Sequence, residues 1–316
     1  MLPSTLKGPG WRPRSSPLRV TLPTLTRPRG YSVNNEVEAL KAVLLTWPGD
    51  ELSFEGSPAD VLMRERPNLQ KMRQEATNIA DYYAQHGATV HWIRPQEPAP
   101  PNLVFACDLA TMTPTGAILS RMAAEQRAGE ERFAAEALIA AGVPVLAIPG
   151  DDATLEGADV MWLRPNLVLV GTGVRTNAAG AQLVRSTLAK QGVDVAEVPI
   201  SPRVQHLLGS VNLLDHHTCA AYAPTPELTA LLEVNGYKIL PFEAEPEVTD
   251  GRALNFVTIG PRHIVMPAGC PRVRSELQNQ GIRCDELGVD EYIRAEGALG
   301  CLTGILGRDP ARFAAE

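Results

Sequence analysis

Five polar side chains of the kinds that enzymes use stand at the ends of apolar runs or beside glycines, although they are far apart in the sequence. They are Asp108, Glu156, Arg175, His206 and Cys301. A cysteine thiolate can attack an electrophilic carbon, and a histidine can carry protons to and from the reacting group. Arg175 follows the glycine-containing run VGTGV, which gives its side chain room to grip a carboxylate in a bidentate fashion.

Taken singly, most of these residues also have an ordinary structural interpretation. Asp108 could be a turn former, Glu156 could lie in an exposed turn, and Arg175 could be solvated at the start of a helix. A lone histidine such as His206 is more often a hydrogen-bonded structural residue than a catalyst. Cys301 differs, because the neighbouring glycines in GCLTG leave its thiol sterically open, which is unusual for a buried structural cysteine.

The chain has five cysteines at wide spacings and no CxxC pair, so neither a disulfide framework nor a zinc site is expected. Reduced thiols fit a cytoplasmic protein better. Cys219 and Cys284 lie in strand-like runs, Cys107 should face away from Asp108, and Cys270 begins a helix without a base nearby. The adjacent pair at 216–217 looks like a solvated turn, because neighbouring strand residues face opposite ways. The cysteine and histidine pattern therefore predicts no metal site.

A repeated pattern of strands and helices positions these side chains. Between residues 40 and 306 the order strand, strand, helix, strand recurs about five times. The first strand of the second unit is predicted at 103–108, and the last apolar run is 300–306. Helices are predicted at 68–86, 129–141, 178–191, 226–234 and 271–280, several of them ending at glycine.

Strands that pair locally, with helices outside, favour a radial α/β arrangement over a doubly wound sheet. An irregular α/β domain with accidental periodicity is the alternative. In a radial arrangement, polar residues at the strand ends converge on a common axis. Neither a GxGxxG motif after the first strand nor a P-loop is present, so nucleotide binding has no support.

The composition sets outer limits on the fold and on the partners. The 316 residues are 44% hydrophobic and 21% charged, with a formal net charge of -7, which is typical of a globular protein and not of a nucleic-acid binder. No apolar run approaches the length of a membrane helix. Residues 1–30 hold six basic residues, six prolines and no acidic residue. We therefore expect a flexible or loosely attached tail there and a single domain over 31–316.

In combination, the motifs resemble those of the guanidino-group-modifying superfamily, whose fold is called the pentein. FACD at 105–108 looks like the superfamily's Phe-x-Arg-Asp with Cys107 in place of arginine, and LEGAD at 155–159 looks like Glu-Gly-Gly-Asp. RTN at 175–177, HL at 206–207 and GCLT at 300–303 match further elements. The five occur in the superfamily's order, and the match runs over almost all of 35–306.

The resemblance implies a pentein α/β-propeller of five ββαβ units and a mechanism without a cofactor. Cys301 would attack the guanidinium carbon to form a covalent S-alkylthiouronium, His206 would act as acid and then base, and Glu156 would hold the imidazole. Asp108 would bind the guanidinium. Arg175 and Arg121 would hold the α-carboxylate of a small guanidino amino acid, either L-arginine or an N-substituted derivative.

One departure from the pattern concerns Leu208, which stands where arginine deiminases and many amidinotransferases have a second aspartate. The pocket should be less acidic on that side, which argues against a standard arginine deiminase and fits a dimethylargininase-like or dihydrolase-like enzyme. An amidinotransferase would form the same intermediate, so it stays open as an alternative to a hydrolase. A catalytically silent pentein and a translation-factor type are disfavoured by the complete catalytic set. A homo-oligomer is left open.

Overall fold

The computed structural model describes residues 2–311, and within them the chain forms fifteen strands and eight helices. The strands are β1 Leu40–Thr46, β2 Thr89–Ile93, β3 Ala110–Thr113, β4 Gly116–Leu119, β5 Val145–Ala147, β6 Val160–Arg164, β7 Leu167–Thr172, β8 Asp194–Pro199, β9 Val211–Asp215, β10 Thr218–Tyr222, β11 Lys238–Phe242, β12 Val257–Gly260, β13 His263–Pro267, β14 Arg283–Leu287 and β15 Gly304–Arg308. The helices are α1 Leu69–Gln85, α2 Glu130–Ala140, α3 Ala178–Ala189, α4 Pro226–Val234, α5 Pro246–Thr249, α6 Pro271–Asn279, α7 Asp290–Arg294 and α8 Leu299–Leu302.

The strands form five three-stranded sheets with one common topology. In each sheet the first two strands are antiparallel, and a helix then leads to a third strand that lies parallel to the second. The orders are β3-β4-β5, β6-β7-β8, β9-β10-β11, β12-β13-β14 and β15-β1-β2. The last sheet joins the two ends of the chain, because β15 supplies the strand that precedes β1. The predicted pentein fold of five ββαβ units is thereby confirmed.

Local sequence signals explain where the crossover helices begin and which face they bury. The side chains of Asn68, Asn177 and Thr225 each accept a hydrogen bond from a backbone N–H in the first turn of α1, α3 and α4. In α1 the buried residues recur at helical spacing: Met72, Ala76, Ile79 and Tyr83. The glycine after α1, Gly87, has a φ of 84°, a conformation that glycine adopts without strain.

The strand predicted at 103–108 is wrong. The chain there makes two 3₁₀ turns, Pro101–Val104 and Ala106–Leu109, and the first strand of this unit is β3. The Asp108 N–H donates to the Phe105 carbonyl, 3.2 Å away, instead of to a neighbouring strand. A short apolar run does not distinguish a buried strand from a buried turn.

Turns or short helices also precede the first strands of three other units. They lie at Gly157–Asp159, Leu207–Gly209 and Leu299–Leu302, before β6, β9 and β15. Each of these units therefore enters its first strand through a tight turn, and these turns carry the polar residues singled out above.

The segment 2–30 lies against the domain in this structure, with one 3₁₀ turn at Ser4–Leu6. Arg14 donates to Glu131, and Pro13 makes an isolated bridge with Ala124. That the segment is a loosely attached tail stays a prediction. Met1 and residues 312–316, the outer ends of the two predicted regions, lie outside the described residues. None of the described helices has the length and apolar character needed to span a membrane.

Candidate active site

Four of the predicted site residues occupy equivalent positions in their units, at the turn before the first strand, whereas Arg175 follows β7. Asp108 lies in the turn before β3, Glu156 directly precedes the turn before β6, and His206 directly precedes the turn before β9. Cys301 lies in α8 before β15, and Asn255 precedes β12. Because the five units surround one axis, residues at this position converge even though the sequence separates them widely.

Glu156 and His206 form a buried pair. The Nε2 atom of His206 lies 2.8 Å from Oε2 of Glu156, and the Nδ1 atom has no partner among the described residues. Burial opposes protonation of His206, but the facing carboxylates of Asp108, Asp159 and Glu156 outweigh it and raise its pKa. Burial also raises the pKa of Glu156, but Arg175 above all, together with the His206 bond and Arg127, lowers it well below the usual range. The pair therefore favours an imidazolium next to a carboxylate, which is the state needed to protonate a leaving group.

Cys301 is held by Asn255, a residue that the sequence analysis did not single out. The Cys301 N–H donates to Oδ1 of Asn255 at 3.1 Å, and Nδ2 of Asn255 lies 3.2 Å from the Cys301 Sγ. Burial, followed by the negative charge of Asp108, raises the pKa of the Cys301 thiol. The free thiol is therefore protonated at neutral pH, and a cation bound beside it would favour the thiolate.

Asp108 has one oxygen in use and one unpartnered. Its Oδ2 atom accepts from Nη1 of Arg127 at 2.6 Å, whereas its buried Oδ1 atom has no hydrogen-bond partner and lies 3.8 Å from Nε2 of His206. A buried acceptor without a donor is costly unless a ligand satisfies it. A guanidinium group of a substrate would supply such a donor.

Arg127 is the main site residue that sequence reasoning missed. Its guanidinium is buried and contacts three carboxylates: Glu130 through Nε and Nη2, Asp108 at 2.6 Å and Glu156 at 3.4 Å. It therefore neutralises the cluster together with Arg175, which lies 3.4 Å from Glu156. The signal in the sequence was weak, because EQRAGEER at 125–132 is typical of a solvated helix start.

The other predicted substrate-binding residues lie in different surroundings. Arg175 is buried, and its Nη2 atom donates to the Thr5 carbonyl at 2.8 Å. Arg121 is buried outside the cavities described below and donates to the carbonyls of Ala153 and Ser16, each at 3.0 Å. The structure thus brings Asp108, Glu156, Arg175 and His206 together but directs Arg121 elsewhere.

A cavity of about 220 Å³, here called the main cavity, is bordered by His206, Leu208, Asn255 and Cys301. Cys301 also borders an adjoining space of about 10 Å³, together with Asp108, Arg127 and Arg175. Of the other cysteines, Cys107 lines a separate cavity of about 70 Å³, and neither Cys219 nor Cys284 borders any of these three spaces.

Among the described residues, two groups of side chains have ligand atoms close enough together for a metal ion. Asp108, Glu156 and His206 form one, but the guanidinium groups of Arg127 and Arg175 already neutralise it. The other group is His86, His263 and Asp285, where Asp285 accepts from His263 at 2.7 Å and from the Tyr82 hydroxyl at 2.7 Å. Each group contains a hydrogen bond between a histidine and a carboxylate, and this bond accounts for the short distances between the ligand atoms.

Comparison with known proteins agrees with this class of fold. The family model described as arginine deiminase matches residues 63–234, and the chain belongs to that family, within the pentein guanidino-modifying superfamily. The N(G),N(G)-dimethylarginine dimethylaminohydrolases of Pseudomonas aeruginosa and Streptomyces coelicolor are each 29% identical, over 206 and 205 residues. Each match covers 64% of this chain, with 76% and 74% of the relative.

Solved structures extend the likeness of fold. The Pseudomonas aeruginosa enzyme in complex with citrulline superposes with a TM-score of 0.70 at 23% identity, covering 84% of this chain and 99% of that one. The N-terminal domain of ArgZ, an arginine dihydrolase from cyanobacteria, gives a TM-score of 0.72 at 18% identity, covering 84% and 98%. Family membership confirms the expectation of a hydrolase that acts on C–N bonds of linear amidines.

Proposed function

We propose that the protein hydrolyses a guanidino compound through a covalent intermediate on Cys301. The observation that carries this proposal is that Cys301 borders both the main cavity, together with His206, and the adjoining space that contains Asp108. A nucleophile, a proton donor and an unpartnered carboxylate oxygen thus surround one small volume. L-arginine and its N-substituted derivatives are the substrates that the sequence resemblance predicts.

The reaction follows from the chemistry of these groups. A guanidinium is stabilised by resonance and resists attack by water, so a stronger nucleophile is needed. The cation binds at Oδ1 of Asp108, and its charge favours ionisation of Cys301. The thiolate forms a bond to the central carbon, the C–N bond breaks, and His206 gives its proton to the departing amine.

The second half of the reaction regenerates the enzyme. His206, now neutral, takes a proton from water, which attacks the carbon of the S-alkylthiouronium. The C–S bond then breaks, and the thiolate leaves with its electron pair while a ureido product forms. Glu156 stabilises the imidazolium in both halves, as the third member of other catalytic triads does.

Mass spectrometry of an acid-quenched reaction tests this proposal. We expect Cys301 to carry an adduct equal in mass to the substrate less the departing amine, for at least one of L-arginine, N-methylated arginines and simple guanidino acids. Cys301→Ser, quenched identically, should carry none. Turnover without an adduct, or an adduct confined to another cysteine, would contradict the proposed mechanism.

Leu208→Asp is expected to shift the preference toward an unsubstituted guanidino group. Leu208 borders the main cavity beside Cys301, and a carboxylate there would add a charge-assisted hydrogen bond. Such a bond is worth roughly 1.5–3 kcal/mol, or about one to two decades in kcat/KM, whereas loss of apolar contact penalises an N-methyl group by about 0.8 kcal/mol. The measurement is kcat/KM for arginine and N-methylated arginines, with thermal melts to verify folding.

Leu208→Asn is the matched control, because it has nearly the shape of aspartate and no charge. We expect the charged variant alone to change the preference by a decade or more. An unchanged preference in a folded Leu208→Asp protein would mean that this side chain does not face the guanidinium. Transfer of the amidino group from arginine to added glycine, with ornithine released and neither citrulline nor ammonia formed, would identify the protein as an amidinotransferase instead.

A further inference from the structure

The segment of residues 3–16, here called the wall, closes one side of the main cavity. Pro3, Thr5 and Leu6 border this cavity together with His206 and Cys301. Thr5 is only 6% exposed, although it lies in a proline-rich stretch without a strand or an α-helix. The wall is therefore part of the substrate's surroundings.

Residues of the wall bind the guanidinium of Arg175. The Thr5 carbonyl accepts from Nη2 of Arg175 at 2.8 Å, and the ring of Trp11 covers the guanidinium with its centroid 4.6 Å away. The Nη1 atom is directed at Glu156, so Nε alone has no partner. A carboxylate that bound Arg175 through two parallel hydrogen bonds would have to compete with the Thr5 carbonyl.

The wall also occupies Arg121. The Ser16 carbonyl accepts from its Nη2 atom and the Ala153 carbonyl from its Nη1 atom, each at 3.0 Å. Both arginines that would hold the α-carboxylate of an amino acid therefore donate to the protein's own backbone. At Arg175, which borders the adjoining space, the wall thus provides an uncharged carbonyl oxygen where such a substrate would place its carboxylate.

Contacts around the wall indicate a fixed position. Arg14 and Glu131 form an ion pair of 2.8 Å whose side chains are 2% and 0% exposed. The Arg14 N–H donates to the Ala123 carbonyl, and Glu125 accepts from the N–H groups of Ser15 and Ser16. Removing one partner of a buried ion pair leaves an uncompensated charge, so this anchor resists opening.

The lining of the main cavity also contains a different cation. Arg203 and Arg252 both border it, and Glu296 is the one acidic residue among its described lining. Arg252 is paired with Glu296, whereas Arg203 is exposed and makes no ion pair with the described residues. The carboxylate of a substrate can thus bind Arg203. An α-ammonium group of a substrate, in contrast, would have no unpaired carboxylate in the described lining of the main cavity to bind.

We propose that the wall determines substrate specificity, an inference that rests on the proposed function. The wall selects an ω-guanidino carboxylic acid without an α-amino group over arginine. The guanidino end of this substrate reacts at Cys301, and its carboxylate lies toward Arg203. An α-amino acid is disfavoured because Arg175 and Arg121 are already occupied.

Two variants that release the wall test this proposal. Deletion of residues 2–11 removes Thr5 and Trp11 but keeps the Arg14 anchor. In Gly10→Ala, where φ is 91°, the new Cβ would lie 2.3 Å from the Ala59 carbonyl oxygen, so the wall must move. Gly30→Ala is the matched control, since its φ is also positive, 67°, and nothing lies within 4 Å of the added Cβ.

The measurement is kcat/KM for 4-guanidinobutyrate and for L-arginine, with thermal melts of every protein. We expect the wild type and Gly30→Ala to prefer 4-guanidinobutyrate. Releasing the wall should shift the ratio toward arginine by about ten- to a hundredfold, the value of one charge-assisted hydrogen bond. Arg203→Gln should lower kcat/KM for 4-guanidinobutyrate mainly through KM.

Two results would overturn the proposed role of the wall and leave the proposed function standing. One is that all the variants hydrolyse both substrates with the same ratio of kcat/KM values as the wild type. The other is that the wild type prefers arginine. If no protein hydrolysed any guanidine, the proposed function would fail, and the role of the wall with it. A folded Gly10→Ala protein suffices for either conclusion if the deletion variant does not fold.

Discussion

Cys301→Ser is expected to lower turnover of every guanidino substrate by about 10³-fold or more while the protein keeps its fold. Burial and Asp108 already raise the pKa of this thiol, and a serine hydroxyl in the same place would ionise far less readily. The hydrogen bond from the Cys301 N–H to Asn255 does not involve the side chain and should persist. The measurements are product formation and thermal unfolding.

Cys284→Ser is the matched control for this experiment. Cys284 is a half-buried cysteine in β14 that borders none of the three cavities described above, so its replacement should leave turnover within about twofold. Substrate binding to Cys301→Ser, followed by calorimetry, should survive, because Asp108 and His206 are unchanged. More than a few per cent of residual turnover in Cys301→Ser would show that another group is the nucleophile.

The number and order of the units could be predicted from the sequence because each helix carries its own start and stop signals. The helix predicted at 226–234 has those bounds in the structure, with Thr225 as its cap, and the helix predicted at 271–280 differs by one residue. The strand pairing that joins the last unit to the first could not be predicted in the same way. The strand that completes the first unit, β15, lies at the far end of the chain, and its pairing with β1 leaves no local signal.

The turns that carry the site residues could not be predicted as turns. Apolar runs such as 103–108 have the composition of a buried strand, and their backbone is set by the neighbours that the other units supply. Arg127 was missed for a related reason. In the sequence it lies among charged residues, and its burial follows from Asp108 and Glu156, which arrive from other turns.

The wall illustrates a limit of periodicity arguments. Residues 3–16 have neither helical nor strand spacing, so their composition indicates a tail. Their contacts are made one at a time, by single backbone groups and by Arg14, with partners more than 100 residues away. Such contacts leave no pattern within the segment itself.

Arg127→Met is expected to destabilise the protein by about 3–5 kcal/mol, the largest effect on stability that the site suggests. The substitution keeps most of the side-chain volume but leaves the buried carboxylates of Asp108, Glu130 and Glu156 without their shared cation. Arg132→Met is the matched control. Its pair with Glu97 is exposed, and the loss should stay within about 1 kcal/mol. Denaturant unfolding measures both.

The pH dependence distinguishes lost charge compensation from lost packing. In Arg127→Met, Glu130 and Glu156 lose a positive charge that lowers their pKa, so the pKa of both carboxyls rises in the folded state. The folded state then binds protons more readily than the unfolded one, and the stability of Arg127→Met relative to wild type should recover as the pH falls. Arg127→Lys, which keeps the charge but not the planar fork, should restore part of the stability while kcat stays low, because Asp108 is no longer oriented. A deficit in Arg127→Met that is independent of pH would instead mean that Arg127 contributes packing and not charge.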